Sequence, residues 1–332
     1  MDLIVDHLPT TVRIIFSKHY WSNQFLFSKF LHSFFAVCGI GSSTAEAVKQ
    51  LVELFKGPGQ ANWAAAFLIA HEWLVIAIIV LVAILTAFYL LKPTTKVSAR
   101  LRKRDLNISI EVGDIFATRQ TLVIGTNTTF DTSLVDGLIS ESSLQGQFTK
   151  KYFGNVVNHL DADLEVSLQG LTPTEIAQAD KPVGKRRRFE MGTVAKINVD
   201  GRIAYLVAIA HMNGHGVAST TIEDIRTSIA ALWLHISEKG GGLPSLRVPV
   251  LGTGFGKLVE TREEVIREIL KSFVAACASD RFADEFTLVI SVKDFLQHQI
   301  NLNELGEFLK YLTTFTEMRS ATDTGTGTAI AI

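Results

Sequence analysis

SLRVPVLGTGFGKL, residues 245–258, joins an apolar run rich in Val and Leu to a loop that carries Gly252, Gly254 and Gly256. Beyond it, Val265, Ile266, Ile269, Leu270, Phe273, Val274 and Cys277 recur at the i, i+3, i+4, i+7 spacing of a helix that buries one face, which predicts a helix over 261–279. Thr261 and Glu264 have the spacing of a capping box, so the helix starts just after the glycines. A glycine loop feeding a helix N-terminus offers backbone N–H groups and the positive end of the helix dipole, a combination that holds phosphate. Glycines alone are equally compatible with a tight turn that binds nothing. A Walker A loop is excluded, because position 251 is Leu and position 258 is Leu. A dinucleotide fingerprint fails at Lys257, where its third glycine belongs.

The rest of the chain bounds what surrounds that loop. Its 332 residues suffice for one well-buried domain and a smaller unit. A formal net charge of −1 gives no case for nucleic acid as a partner. Cys38 and Cys277, one in each half, provide neither a disulfide framework nor a zinc site, and no metal cluster is expected. The first ten residues lack the basic start and small-residue cleavage site of a removable signal peptide.

Mean hydropathy of +0.26 is high, and the excess sits in the first third. Residues 73–91, WLVIAIIVLVAILTAFYLL, are uncharged and almost wholly apolar, with Trp73 and Tyr89 near the ends. A bilayer core about 30 Å thick needs about 20 helical residues, so this segment is expected to span it. The Phe-rich segment 25–40, continued through 41–44 into 45–55, carries Glu46, Lys49 and Glu53 on one helical face. It reads either as a second span whose polar stripe faces partner helices, or as an amphipathic helix lying on the membrane surface. Lys92, Lys96, Arg100, Arg102, Lys103 and Arg104 then form a basic stretch. The positive-inside rule puts that end, and all that follows, in the cytoplasm. The expected divisions are a cytoplasmic segment 1–24, a two-helix transmembrane region 25–91, a basic linker 92–106, an α/β domain 107–318 and a disordered tail 319–332.

From Asn107 onward short apolar runs alternate with amphipathic helices. Strands are expected at 108–112, 121–126, 203–211, 246–251 and 287–292, and helices at 148–160, 221–239 and 261–279. Such interleaving means a central mixed sheet covered by helices on both faces, a three-layer α/β/α domain. Residues 173–188 read as a loop insertion. Its basic run 185–188 is either solvated surface or a contact to bound phosphate or lipid. His211 ends an apolar strand and reads as a core histidine rather than a base, and His215 offers no catalytic set by spacing.

The order of these motifs resembles the macro domains, which bind ADP-ribose. The resemblance rests on IEVGDIF (110–116), LVIGTNTTF (122–130), SLQGQF (143–148), AYLVAIAH (204–211) and VPVLGTGFG (248–256). It implies that Asp114 and Ile115 meet adenine, that Asn127 lies beside the distal ribose, and that Gly146 and Gln147 form a first phosphate loop. It implies further that Gly252, Thr253, Gly254, Phe255 and Gly256 form the second, and that Phe295 stacks on adenine. The hydrolytic members show an N-x-x-N pair; here Asn127 is followed by Thr128, Thr129 and Phe130, which favours binding over catalysis. Two membrane helices, a basic linker and such a domain are together similar to the membrane-spanning macro-domain effectors of bacterial Thoeris anti-phage systems. That resemblance implies a TIR-domain enzyme as functional partner, an ADP-ribose derivative as signal, and a homo-oligomer acting on the inner-membrane lipid bilayer. A membrane-tethered ADP-ribosyl hydrolase is the alternative it leaves.

Overall fold

The computed structural model describes residues 9–15, 17, 20, 24–54, 71–101, 104–135, 138–154, 156–213, 217–252, 254 and 258–316. The chain divides into two compact units, Met1–Thr94 and Thr95–Ile332.

In the first unit a short helix α1 (Thr10–Ile15) precedes two long ones, α2 (Gln24–Leu54) and α3 (Glu72–Leu90). The Phe-rich segment therefore does continue through its glycines as one helix. Phe30 meets Phe88 at a ring distance of 5.6 Å, and a Cβ on Gly41 would stand 2.8 Å from Ile79 Cγ2. Residue numbers that rise on one helix while falling on the other make the pair antiparallel. Tyr20 closes the unit by donating to the Leu91 carbonyl at 2.6 Å. The turn between the helices, and the side chains of Lys49 and Glu53, lie outside the described residues. Among the described residues no helix is long and apolar enough to cross a membrane, so the expected spans are not a finding of this structure.

The second unit is built on an eight-stranded sheet. Its strands are β1 (Lys96–Leu101), β2 (Leu106–Val112), β3 (Thr121–Asn127), β6 (Val194–Val199), β7 (Arg202–Met212), β8 (Ala218–Ser219), β9 (Ser245–Pro249) and β10 (Glu285–Ile290). A separate two-stranded ribbon pairs β4 (Thr174–Glu175) with β5 (Arg187–Arg188). The main order is β1-β2-β10-β9-β3-β7-β6, with β8 beside β7. From β2 to β7 the strands are parallel, and β1 and β6 are antiparallel edges.

The helices are α4 (Leu144–Tyr152), α5 (Val157–Ser167), α6 (Ile222–Lys239), α7 (Arg262–Ser279), α8 (Val292–Gln297) and α9 (Leu302–Phe315). Alternate residues of β3 and β7 (Leu122, Ile124, Leu206) pack against Phe148, Leu160 and Leu164 of α4 and α5. Tyr205, on the opposite face of β7, meets His235 of α6 at 5.8 Å. The mixed sheet thus lies between helical layers, as its apolar strands require. On the α6–α7 side Phe273 stacks on Phe286 at 4.0 Å and Trp233 donates to Ser272 Oγ at 3.1 Å. The whole stripe from Val265 to Cys277 on α7 is buried, and burial pushes the Cys277 thiol up to about 12. The expected cap of α7 forms between Thr261 and Glu264, and α6 opens on a second capping box, Thr221 with Asp224.

Three expectations need correction. The stretch 92–106 is not simply a linker, because β1 pairs from Lys96↔Glu111 to Leu101↔Leu106. The helix expected over 148–160 is two helices. Gly154, at φ +55, returns its N–H to the Thr149 and Lys150 carbonyls and stops the first. The insertion 173–188 is a hairpin rather than an open loop. The expected disordered tail lies outside the described residues beyond Thr316.

Candidate functional site

Because β2, β10, β9 and β3 are adjacent and parallel, their carboxyl ends share one edge of the sheet. At strand spacings of about 4.8 Å this edge runs for about 14 Å from β2 to β3. Along it follow Asp114 after β2, Phe295 after β10, Gly252 and Gly254 after β9, and Asn127 at the end of β3. Ligands of open α/β sheets bind in that position.

At the β2 end, Gly113 donates to the Ile290 carbonyl at 2.9 Å and ties the loop to β10. Asp114 caps a short 3-10 turn, Ile115–Ala117, by accepting from the Phe116 N–H at 2.9 Å. Its side chain is exposed, whereas Ile115 is buried in the core. Arg247, on β9 and almost fully buried, donates to the Asp114 carbonyl and to Glu111 Oε1, each at 3.1 Å. That cation anchors the loop from beneath.

At the β9 end, Gly252 has φ +73, and a Cβ there would stand 2.7 Å from Ile225 Cδ1 on α6. Both facts demand glycine. Gly254 is exposed, and an added Cβ would meet nothing within 4 Å among the described residues. Thr253, Phe255 and Gly256 lie outside the described residues. Phe295 sits half-buried on α8, whose N-cap is Ser291.

The β3 end carries the densest polar structure. Pairing with β7 shifts register between Thr126 and Asn127, a bulge of the kind that re-aims side chains. Thr126, Asn127 and Thr128 are each at most 3% exposed. Yet Thr126 Oγ1, Asn127 Nδ2 and Thr128 Oγ1 have no hydrogen-bond partner among the described residues. Buried polar atoms are seldom left this way, and here three successive residues at a strand exit each carry one. Asn127 Oδ1 accepts from Thr129 N (3.0 Å), Thr129 Oγ1 (2.9 Å) and Asp131 N (3.2 Å). Those donors fix which end of the amide is the oxygen and leave the buried Nδ2 as its unused donor. Phe130 follows at φ +50, buried against Phe189 at 5.7 Å.

The first phosphate loop departs from its expected role. The Gly146 N–H donates to the N-cap Ser143 Oγ at 3.0 Å, and a Cβ on Gly146 would stand 2.1 Å from the Ser140 carbonyl oxygen. Glycine is there for close packing under the loop. Gln147 likewise spends its N–H on the Ser143 carbonyl and its side-chain amide on the Ser142 carbonyl. The neighbouring Gln145 joins α4 to the β3 exit, donating to the Asp131 carbonyl at 2.6 Å.

Other candidates fall away from the edge. His211 is exposed rather than in the core and faces Asp224 at 3.7 Å. His215 lies outside the described residues. Arg187 is held by Glu165 at 2.6 and 2.8 Å. A shallow depression between β1 and α9, lined by Val97, Ser98, Asn303, Gly306, Glu307 and Lys310, includes none of the site residues. Among the described residues no group of His, Cys, Asp or Glu could hold a metal. Sequence reasoning missed Thr126, Thr129, Asp131 and Lys181. The run of polar residues straight after an apolar strand, TNTTFDT, was the signal that could have found the first three.

A mixed eight-stranded sheet between helical layers, with buried polar residues at the carboxyl end of β3, defines an α/β domain of the macro type. The chain belongs to the family described as Thoeris protein ThsA, Macro domain, whose model matches residues 108–291. Among curated proteins it is similar to the Thoeris protein ThsA of Bacillus amyloliquefaciens (strain Y2), with 25% identity over 215 residues, 61% of this chain and 68% of that one. Among solved structures it is similar to a macrodomain of Oceanobacillus iheyensis at 14% identity and TM-score 0.44, covering 65% of this chain and 96% of that one. A Trypanosoma brucei macrodomain in complex with ADP-ribose is similar at 9% identity and TM-score 0.38, covering 61% and 68%.

Proposed function

We propose that this protein is a membrane-anchored effector whose cytoplasmic macro domain senses an ADP-ribose-derived nucleotide made by a TIR-domain enzyme. The signal drives self-assembly and damage to the bacterial inner membrane in Thoeris defence. The sensing half is carried by one observation, the buried Asn127 Nδ2 that has no partner among the described residues at the carboxyl edge of β3. Membership in the Thoeris family supports the setting and the class of ligand. Binding without turnover is favoured because the other end of the same amide, Oδ1, already serves three donors and is not available to orient a water.

The membrane half rests on α3. Trp73 is 83% exposed, Leu81 55%, Leu85 59% and Tyr89 75%, on a segment uncharged from Trp73 to its end. Apolar surface left in water costs about 25 cal/mol per Å², so lipid or neighbouring helices cover it. The basic residues that follow favour a cytoplasmic macro domain. Assembly responds to the signal only if one assembly state binds it more tightly than the other.

Gly254→Glu tests the coupling. A Cβ there would meet nothing within 4 Å among the described residues, so the fold should survive, and a carboxylate near the diphosphate costs about 4 kcal/mol at an effective dielectric of 20. Calorimetry on the full chain with ADP-ribose should show binding that this variant loses, together with toxicity in cells making the signal. Toxicity that persists without binding breaks the link, and turnover of ADP-ribosylated substrates favours a hydrolase.

A further inference from the structure

The hairpin formed by β4 and β5 lies across the β3 exit and is fastened to it at several points. Phe189 N donates to the Thr128 carbonyl at 2.8 Å. From the hairpin tip, Lys181 donates to Asp131 Oδ1 at 2.9 Å, to Asp131 Oδ2 at 2.7 Å and to the Lys185 carbonyl at 2.7 Å. Lys185 N adds a bond to Asp131 Oδ1 at 2.7 Å. Gly184, at φ +83, lets its backbone approach so closely that a Cβ would stand 2.4 Å from that oxygen.

Lys181 is 2% exposed and Asp131 1%. All three ammonium protons are used, and the carboxylate accepts from three groups. A buried ion pair contributes little net stability over an apolar replacement, but it holds its segments in one arrangement. What this one holds is Asn127. The Asp131 N–H donates to Asn127 Oδ1, and the Thr129 hydroxyl bridges Asn127 Oδ1 at 2.9 Å and Asp131 Oδ2 at 2.5 Å. Its single proton is shared, with the closer and charged oxygen taking the larger part. The network starts at a lysine on the hairpin and ends at Asn127, whose buried amide nitrogen has no partner among the described residues.

We propose that the hairpin is a specificity element and that Lys181 is a positioning residue. Through Asp131 and Thr129 it sets the Asn127 amide to donate to an oxygen on the part of the ligand beyond the diphosphate. This rests on the nucleotide-sensing reading above. The hairpin therefore discriminates an ADP-ribose-like ligand from a nucleotide that ends at its diphosphate, although Lys181 itself touches neither.

The test compares binding of ADP-ribose with that of ADP, which lacks the second ribose, by calorimetry on the full-length protein. Lys181→Met combined with Asp131→Asn removes both charges at once and strands neither. Thr129→Val cuts the bridge and leaves the ion pair intact, so it remains informative if the first variant does not fold. Both variants should lose ~10-fold in ADP-ribose affinity, which is about 1.4 kcal/mol, with ADP affinity unchanged. Equal losses for the two nucleotides, or none for either, overturn the positioning role and leave the sensor reading standing. Wild-type protein that does not bind ADP-ribose overturns both.

Discussion

Glu264 closes the cap of α7 just beyond the second glycine loop, accepting from the Thr261 N–H at 2.7 Å. That backbone bond, with the Thr261 hydroxyl, holds its carboxyl below the ordinary value of 4.5. A depressed carboxylate contributes stability that is fully present above the unfolded value and lost as pH falls through the folded one. The stability margin of wild type over Glu264→Gln should therefore be flat from neutral pH to about 4.5 and shrink below it. Denaturant unfolding of the two proteins across that range checks this, and a margin that grows in acid contradicts the cap. Residue by residue, sequence patterns placed Asp114, Asn127 and Gly252 at the carboxyl ends of parallel strands, where the fold has them, because each closes or follows a strand whose apolar run is plain. Gly146 sits beside that edge, where Gln145 binds the Asp131 carbonyl, yet its role changed, since a motif does not reveal that Ser143 takes its N–H.

At the scale of elements, β1 is the piece with most consequence for where the macro domain begins. KVSARL carries polar residues on alternate positions, Lys96, Ser98 and Arg100, which an edge strand tolerates and which hides it among basic residues. It covers the edge of β2 and packs under α9, where a Cβ on Gly306 would lie 3.2 Å from Val97. A fragment starting at Thr95 should unfold cooperatively, whereas one starting at Asn107 exposes β2 as a long apolar edge and should aggregate. Light scattering of the two fragments decides it; equal behaviour would mean that β1 is dispensable. The unforeseen strand β6 had a legible signal. Asp200-Gly201, both at positive φ, is the turn chemistry of a two-residue hairpin, here joining β6 to β7.

At the scale of the whole molecule, the N-terminal unit and the sheet unit solve different problems of burial. The sheet closes its own core, while α3 from Trp73 onward presents an uncharged apolar surface that its partner α2 covers only in part. If lipid covers the remainder, Leu81→Lys should be costly, about 2.5 to 3.5 kcal/mol for a charge at the centre of a span. Carbonate extraction of membranes should then leave wild type in the pellet and release a fraction of the variant. Release of both to the same extent would count against a span.

The sequence by itself determined the five parallel strands of the sheet, the helices α6 and α7, the cap of α7, the apolar character of α3 and the family, because local periodicity and motif order carry all of these. Only the tertiary structure decided which polar atoms face one another. The Lys181–Asp131 pair joins residues 50 positions apart, and the register shift that turns Asn127 depends on where β7 lies. Side chains distant in sequence meet only once the sheet has brought their strands together, and no local pattern encodes that meeting.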